Sequence, residues 1–211
     1  MFDKWKVTIA GLMVGVVLGW AAWSFTRKNA EPTIDEAKMS AALQAMPNPT
    51  AHLIGKPLPS WSFPANAWAN TSKPVTLESL RGSVALVEVF RINCSSCQQA
   101  APFMGAMQKN FIPKGLKIVG IQSPIARNPD ENDWKKVQYV TKDLWKLTYP
   151  MAFDAKSQYL QKLYKNNRDE MRWPTLLLLD RNGIVVYGHT GHREDLEMRL
   201  YEEIQRQLAK K

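Results

Sequence analysis

The sequence predicts an α/β protein, and three observations lead to this fold class. Residues 84–90 (VALVEVF) form a short apolar run, and residues 98–110 after it can form a helix. Residues 116–121 (LKIVGI) repeat the strand signal. Strand signals at 176–179 and 184–187 flank a turn, as in a β-hairpin. Strands that alternate with helices favour a sheet covered by helices.

An apolar run without a charged residue occupies positions 7–25 near the N-terminus. A helix of this length spans about 28 Å, close to the hydrocarbon thickness of a bilayer. Trp5, Trp20 and Trp23 lie near its ends, where membrane interfaces favour aromatic side chains. We therefore predict a short tail over residues 1–6 and a transmembrane anchor over residues 7–25, which contacts the lipid bilayer.

A cleaved signal peptide is the alternative to an anchor, because Lys4 and Lys6 precede the apolar run. Basic residues lie on both sides of the run, so the positive-inside rule does not fix its orientation. A short tail before a large domain favours a signal anchor with the domain outside the cytoplasm. Gly11, Gly15 and Gly19 share one helix face and could support a homodimer, although glycine is common in membrane helices generally.

Residues 26–52 are polar and contain prolines, which is typical of a linker, here partly helical. The remaining residues, 53–211, are predicted to form the globular domain. The net charge is +9, but the basic residues are scattered and no basic stripe is interleaved with aromatics. The charge therefore does not indicate a nucleic-acid partner.

Cys94 and Cys97 are the only cysteines in the chain. They follow a predicted strand and begin a predicted helix. At a helix N-terminus the free N–H groups and the macrodipole stabilise a thiolate over a thiol. The arrangement favours thiol-disulfide exchange.

Three other interpretations of the C-x-x-C motif remain open. His189 and His192 could complete a zinc site with the two sulfurs. The cysteines could form a structural disulfide, although so short a loop constrains the unfolded chain little. They could also be inert thiols in the core.

Two further helices are predicted after the C-x-x-C motif. Residues 134–147 have a helical pattern with one apolar face, and residues 193–208 form a final amphipathic helix. The final helix is expected to bury four residues on one stripe, namely Leu196, Leu200, Ile204 and Leu208.

Four short motifs then carry a resemblance to a known family. They are IGKP at 54–57, VTLESLRG at 75–82, CSSC at 94–97 and WPT at 173–175. In this order they resemble the membrane-anchored thioredoxins of the TlpA/ResA type. The resemblance implies a thioredoxin-like fold: a central mixed sheet flanked by helices, with an extra N-terminal hairpin and an insertion at residues 123–150.

The resemblance also assigns roles to four residues. It implies that Cys94 is the exposed nucleophilic thiolate and Cys97 the buried thiol that resolves the mixed disulfide. Pro174 matches the cis-proline that faces the disulfide. Glu88 matches the buried acidic position and would accept the Cys97 proton, with a raised pKa. The alternative for Glu88 is a side chain that reaches solvent at a strand edge.

The surface around the sulfurs is expected to contact substrate through Trp173, Ser95 and Ser96. Asn93 replaces an aromatic residue usual before the first cysteine, and residues 90–92 (FRI) replace a tryptophan-rich approach. The surroundings of the motif are therefore expected to be more polar than in the family.

The implied function is that of a single-pass, extracytoplasmic thiol-disulfide oxidoreductase, in the periplasm or its equivalent. Its expected partners are cysteines of exported proteins, on which it acts as a reductant, and a membrane electron donor. It would need no cofactor or metal beyond its own dithiol. Two alternatives are a non-catalytic binding or assembly module of a membrane complex, and a metal-binding domain that uses Cys94, Cys97 and a histidine.

Overall fold

The structure is a computed structural model that describes residues 48–125, 128–165 and 168–210. The predicted anchor at 7–25, its glycine face and most of the predicted linker lie outside these residues. Asn48–Lys211 forms one compact unit. Across the described ranges, no helix is both long enough and apolar enough to cross a membrane.

The described residues contain six strands and six α-helices. The strands are β1 (Trp68–Ala69), β2 (Ala85–Phe90), β3 (Lys117–Gln122), β4 (Met151–Phe153), β5 (Thr175–Leu179) and β6 (Val185–Thr190). The α-helices are α1 (Leu77–Leu80), α2 (Ser95–Phe111), α3 (Pro129–Asn132), α4 (Trp134–Gln138), α5 (Gln158–Leu163) and α6 (Glu194–Ala209). Short 3₁₀ turns cover Ala51–Leu53, Ala65–Ala67, Ile112–Lys114 and Arg168–Glu170.

The strands form one mixed sheet in the order β1-β4-β3-β2-β5-β6. Strands β2, β3 and β4 are parallel, whereas β1, β5 and β6 are antiparallel to their neighbours. The carboxyl ends of β2, β3 and β4 therefore meet at one edge of the sheet, where ligands and reacting groups of α/β proteins are usually held.

The alternation of side chains along β2 divides the core between the two faces of the sheet. Val87 and Val89 pack on one face with residues of α5. Leu86 and Phe90 pack on the other face with residues of α2 and α6. Glu88 lies between Leu86 and Phe90 and points to the same face as they do, because alternate residues of a strand share a face.

The expected N-terminal hairpin is not present in the described residues, so that prediction is wrong. Pro57 instead forms an isolated bridge with Ile184, next to β6. Strand β1 pairs with β4 at the opposite edge of the sheet. The segment between these contacts crosses from one edge to the other, and its prolines, Pro59 and Pro64, lack the N–H that a hairpin ladder would need.

The single helix expected over 134–147 is also wrong in part. Helix α4 ends at Gln138 and is followed by a π-helical segment, Tyr139–Leu144. The wider π turn rotates the following side chains off the apolar stripe. Val137 and Leu147 are buried as expected, whereas Tyr139 is 56% exposed and Leu144 57% exposed.

The first described residues pack on the sheet although the sequence analysis placed them in the linker. Thr50 is fully buried. The side-chain nitrogen of Asn48 donates a hydrogen bond of 3.0 Å to the Gly188 carbonyl of β6.

Candidate redox site

The two cysteines lie where β2 leads into α2. Cys94 is the N-cap residue of α2 and is partly exposed, whereas Cys97 lies inside the first turn and is fully buried. Both are free thiols in this structure. One sulfur can therefore be reached from solvent and the other only through the first.

The pKa of the Cys94 thiol is lowered from 9.0 to about 6. The largest cause is a hydrogen bond from the Cys97 side chain, and the Cys97 backbone and the Arg91 side chain act in the same direction. Partial burial opposes these effects. Near neutral pH Cys94 is thus largely a thiolate, the form that attacks disulfides.

The pKa of Cys97 is shifted in the opposite direction, well above the usual value of a thiol. Burial is the main cause, and the neighbouring Cys94 sulfur and Glu88 add to it. Cys97 is therefore a protonated thiol while Cys94 is a thiolate. Cys97 needs a proton acceptor before it can act as a nucleophile.

Glu88 is buried in the central strand, with 1% of its surface exposed. It is not at a strand edge, because β2 pairs with β3 on one side and with β5 on the other. Burial raises the pKa of Glu88 from 4.5 to about 7, and a hydrogen bond from Tyr149 moderates the rise. The carboxyl group can therefore gain or lose a proton near neutral pH.

Tyr149 is the partner of Glu88, and its hydroxyl donates a hydrogen bond of 2.6 Å to Glu88 Oε2. Gly120 of β3 is directly opposite Glu88 and leaves room for the tyrosine ring. A Cβ atom on Gly120 would lie 3.1 Å from Tyr149 Cε2 and 3.2 Å from Phe90 Cε1. The position of Tyr149 thus depends on a glycine in the neighbouring strand.

The Trp173–Pro174 peptide bond is cis, as predicted. The Trp173 carbonyl oxygen lies 3.6 Å from Cys94 Sγ and accepts a hydrogen bond from Cys94 when this thiol is protonated. Of the residues between the cysteines, Ser95 is exposed and Ser96 is half-buried. The structure thus places Trp173, Pro174 and Ser95 around Cys94, where a substrate would approach.

Arg91 is a site residue that the sequence analysis did not identify. Its guanidinium carbon lies 4.4 Å from the ring centroid of Trp173, a cation–π distance. Its Nε lies 3.8 Å from Oε1 of Glu131, which is 1% exposed. Arg91 therefore connects the cysteine motif with helix α3 of the predicted insertion.

The position of Glu131 is fixed by a second contact, since its Oε2 accepts a hydrogen bond of 2.9 Å from the backbone N–H of Ile125. One feature of the sequence could have indicated Arg91. It lies in the segment before the cysteines in which the resembling family has aromatic residues. Neither Glu131 nor Tyr149 belongs to a recognisable motif, and only the fold brings them to the site.

The histidines do not join the cysteines. His192 Nδ1 lies 2.9 Å from Glu197 Oε1. Both ring nitrogens of His189 are buried and have no hydrogen-bond partner among the described residues, and burial lowers the pKa of His189 to about 4. In the part of the chain that the structure describes, no group of three or more His, Cys, Asp or Glu residues could hold a metal ion.

The sequence was compared with known protein families, and the pattern of the AhpC/TSA family matches residues 54–188. These residues include both cysteines and Pro174. The chain belongs to the AhpC/TSA family. Protein DipZ of Mycobacterium bovis is 32% identical to it over 129 residues, which are 59% of this chain and 17% of DipZ. The thioredoxin-like protein YneN of Bacillus subtilis is 24% identical over 198 residues, 94% of this chain and 96% of YneN.

Solved structures are also similar to this AhpC/TSA protein. A crystal structure of the thiol:disulfide interchange protein DsbE from Chlorobium tepidum is 26% identical, with a TM-score of 0.58. The match covers 74% of this chain and 98% of DsbE. The AhpC/TSA chain thus has a thioredoxin-like fold of the kind found in thiol-disulfide oxidoreductases.

Proposed function

We propose that this AhpC/TSA protein is a thiol-disulfide oxidoreductase that uses Cys94 and Cys97 as a redox pair. The observation that carries the proposal is the asymmetry of the two sulfurs. Cys94 is partly exposed with a pKa of about 6, and Cys97 beneath it is fully buried and protonated. A structural disulfide or a pair of inert thiols needs no such difference.

In the first step, the Cys94 thiolate attacks one sulfur of a substrate disulfide. A bond forms between Cys94 Sγ and that sulfur, the substrate disulfide breaks, and the other substrate sulfur leaves as a thiolate. Arg91 stabilises the attacking thiolate before the step. The Trp173 carbonyl and cis-Pro174 lie beside the new mixed disulfide.

In the second step, Cys97 loses its proton and attacks Cys94 Sγ. The Cys94–Cys97 bond forms and the remaining substrate sulfur leaves as a thiolate, so two electrons pass to the substrate. Glu88 accepts the Cys97 proton, since its pKa of about 7 suits a proton acceptor at neutral pH. An external dithiol completes the cycle by reducing the Cys94–Cys97 disulfide. The proposed reaction uses no cofactor.

We place this activity outside the cytoplasm, with residues 7–25 as the anchor and residues 53–211 as the exposed domain. The support is the uncharged apolar run and the resemblance to the TlpA/ResA type. The substrates are then cysteines of exported proteins. Reduction of these substrates requires a donor that brings electrons across the membrane.

The test is to capture substrates in cells with the full-length Cys97→Ser variant, which forms the mixed disulfide but does not resolve it. Cys94→Ser is the matched control and should capture nothing. Acid trapping and alkylation of the wild-type protein then report its redox state. Mostly reduced protein supports the reductant role, and mostly oxidised protein contradicts it.

The same experiment separates the proposal from a non-catalytic binding module. Such a module would keep its function in the Cys94→Ser variant, and Cys97→Ser would capture no disulfide-linked partner. That result would overturn the oxidoreductase proposal.

A further inference from the structure

A cavity lies away from the cysteines, near the edge of the sheet formed by β1 and β4. Its volume is about 500 Å³, within the range of small-molecule sites. It is lined by aromatic, polar and lysine side chains from three parts of the chain, namely 61–67, Trp134 and 153–162. The aromatic members are Trp61, Phe63, Trp134, Phe153 and Tyr159.

The aromatic side chains that line this cavity pack against each other. Trp134 stacks on Phe153 at 5.2 Å with an interplanar angle of 6°. Tyr159 makes edge contacts with Trp61 at 5.4 Å and with Phe63 at 6.3 Å. Since these rings hold each other in place, a planar apolar ligand could enter without first ordering the walls.

The two lysines and the one carboxylate of the cavity differ in their hydrogen-bond partners. Lys156 and Lys162 are exposed, and their ammonium groups have no hydrogen-bond or ion-pair partner in the described ranges. Asp154 also lines the cavity, but its buried carboxylate forms no ion pair with either lysine in the described ranges and accepts hydrogen bonds from the Ser123 hydroxyl and from the backbone of Gln158 and other residues at the start of α5. With two lysines and one carboxylate in its lining, the cavity has a net positive charge.

Two further polar atoms in the cavity wall have no partner. The Tyr159 hydroxyl and the Trp134 indole nitrogen are buried without a hydrogen bond in the described part of the chain. Tyr159 as a whole is 2% exposed. Buried donors of this kind normally have a partner, so a small shift of the wall around a ligand would supply one.

We propose that this cavity binds a small organic anion with a planar aromatic body. The ring would lie among the aromatic side chains, and the anionic group would face Lys156 and Lys162. None of the lining residues belongs to the redox site, so the inference does not depend on the proposed function. A recessed cavity bounded by three segments suits a free small molecule better than an extended polypeptide.

The test is calorimetric titration of the full-length protein with naphthalene-2-sulfonate. The matched probe is naphthalene-2-sulfonamide, which has the same ring system and no charge. We expect one sulfonate to bind per chain, more tightly than the sulfonamide. We also expect higher salt to weaken binding of the sulfonate only.

Two sets of variants locate the binding site. The pair Lys156→Gln/Lys162→Gln should weaken sulfonate binding about tenfold and leave sulfonamide binding unchanged. The pair Lys109→Gln/Lys117→Gln removes the same charge away from the cavity and should change neither. Phe63→Ala should weaken binding of both probes.

The proposal is overturned if the two probes bind equally, or if both lysine pairs have the same effect. It is also overturned if binding is absent or exceeds one molecule per chain. Circular dichroism and thermal unfolding of each variant establish that the fold is kept. If Phe63→Ala does not fold, the lysine pairs still decide the outcome, because they are on the surface.

Discussion

Tyr149, in the loop before β4, and Glu88 of β2 are joined by a hydrogen bond of 2.6 Å although they are far apart in sequence. Glu88 faces the same side of the sheet as Cys97, and its charge contributes to the raised pKa of that thiol. Tyr149 therefore holds in place a buried carboxyl group that lies close enough to raise the pKa of the resolving cysteine. Each of the following predictions tests a contact in this region.

The first prediction concerns the pH dependence of stability. Burial raises the pKa of Glu88 from 4.5 to about 7, so the folded state keeps a proton that the unfolded chain has lost. The stabilisation by Glu88 is thus complete below about pH 4.5 and is lost as the pH rises through about 7. Glu88→Gln should remove this pH-dependent loss in the free energy of unfolding, which is at most about 3 kcal/mol.

Urea unfolding of both proteins at pH 5 and pH 8 measures the effect. The stability of Glu88→Gln relative to the wild type should be greater at pH 8 than at pH 5. Glu78→Gln, on the short helix α1, is the control and should show no such trend. A constant difference for Glu88→Gln would contradict the raised pKa.

The second prediction concerns the kinetics of exchange by the same variant. Attack by Cys94 does not need Glu88, whereas attack by Cys97 needs a proton acceptor. Glu88→Gln should therefore slow resolution on the order of 100-fold and leave formation of the mixed disulfide nearly unchanged. With Ellman's reagent, the first thiolate released reports formation and the second reports resolution. Equal slowing of both phases would rule out this role.

The third prediction concerns Arg91, whose positive charge lowers the pKa of Cys94. Arg91→Met should raise that pKa above about 6 and reduce alkylation of Cys94 at pH 6 by about fivefold. The rate of modification by iodoacetamide, followed by mass spectrometry from pH 4 to 9, gives the pKa. Arg206→Met, on the exposed side of α6, is the charge-matched control. A similar shift in the control would mean that only the net charge matters.

The fourth prediction concerns Glu131, the negative charge that faces Arg91 at 3.8 Å. Glu131→Gln keeps an oxygen that can accept the hydrogen bond from Ile125 but removes the charge that competes with the thiolate for Arg91. The pKa of Cys94 should therefore fall, opposite to the effect of Arg91→Met. The same alkylation profile measures it. A rise instead would show that Glu131 mainly holds the guanidinium in position.

The fifth prediction concerns Gly120. A Cβ atom there would lie 3.1 to 3.3 Å from Tyr149, Phe90 and Met151, closer than side chains normally pack. Gly120→Ala should move the tyrosine ring away from Glu88 and destabilise the protein by about 1–3 kcal/mol.

Gly105→Ala is the matched control for this change, because the residue is in helix α2 and, apart from its chain neighbours and the helix backbone around it, no atom of the described residues lies within 4 Å of an added Cβ. It should be neutral or stabilise the protein by up to about 1 kcal/mol. Thermal unfolding measures both variants. Equal stabilities would contradict the packing argument at Gly120.

Local patterns were sufficient for much of the fold. The buried run before Cys94 predicted β2, and the hairpin signals predicted β5 and β6, because side-chain alternation and turn residues act over a few positions. The helix expected over 134–147 failed since a π turn changes the side-chain period. The N-terminal hairpin failed because its evidence was only the resemblance, and Pro57 pairs instead with Ile184.

The sequence by itself determined the cysteine pair and the helix N-terminus that holds it, because these features are set by residue type and short spacing, whereas the proline beside the pair was expected only from the resemblance to a family. Only the tertiary structure decided how the pair is tuned. The contacts of Glu88 with Tyr149, and of Arg91 with Glu131, join residues that are distant in sequence. They depend on strand register and on the room left by Gly120, which no local pattern encodes. The cavity of aromatic side chains and lysines is likewise assembled from three separate segments, and it exists only in the folded chain.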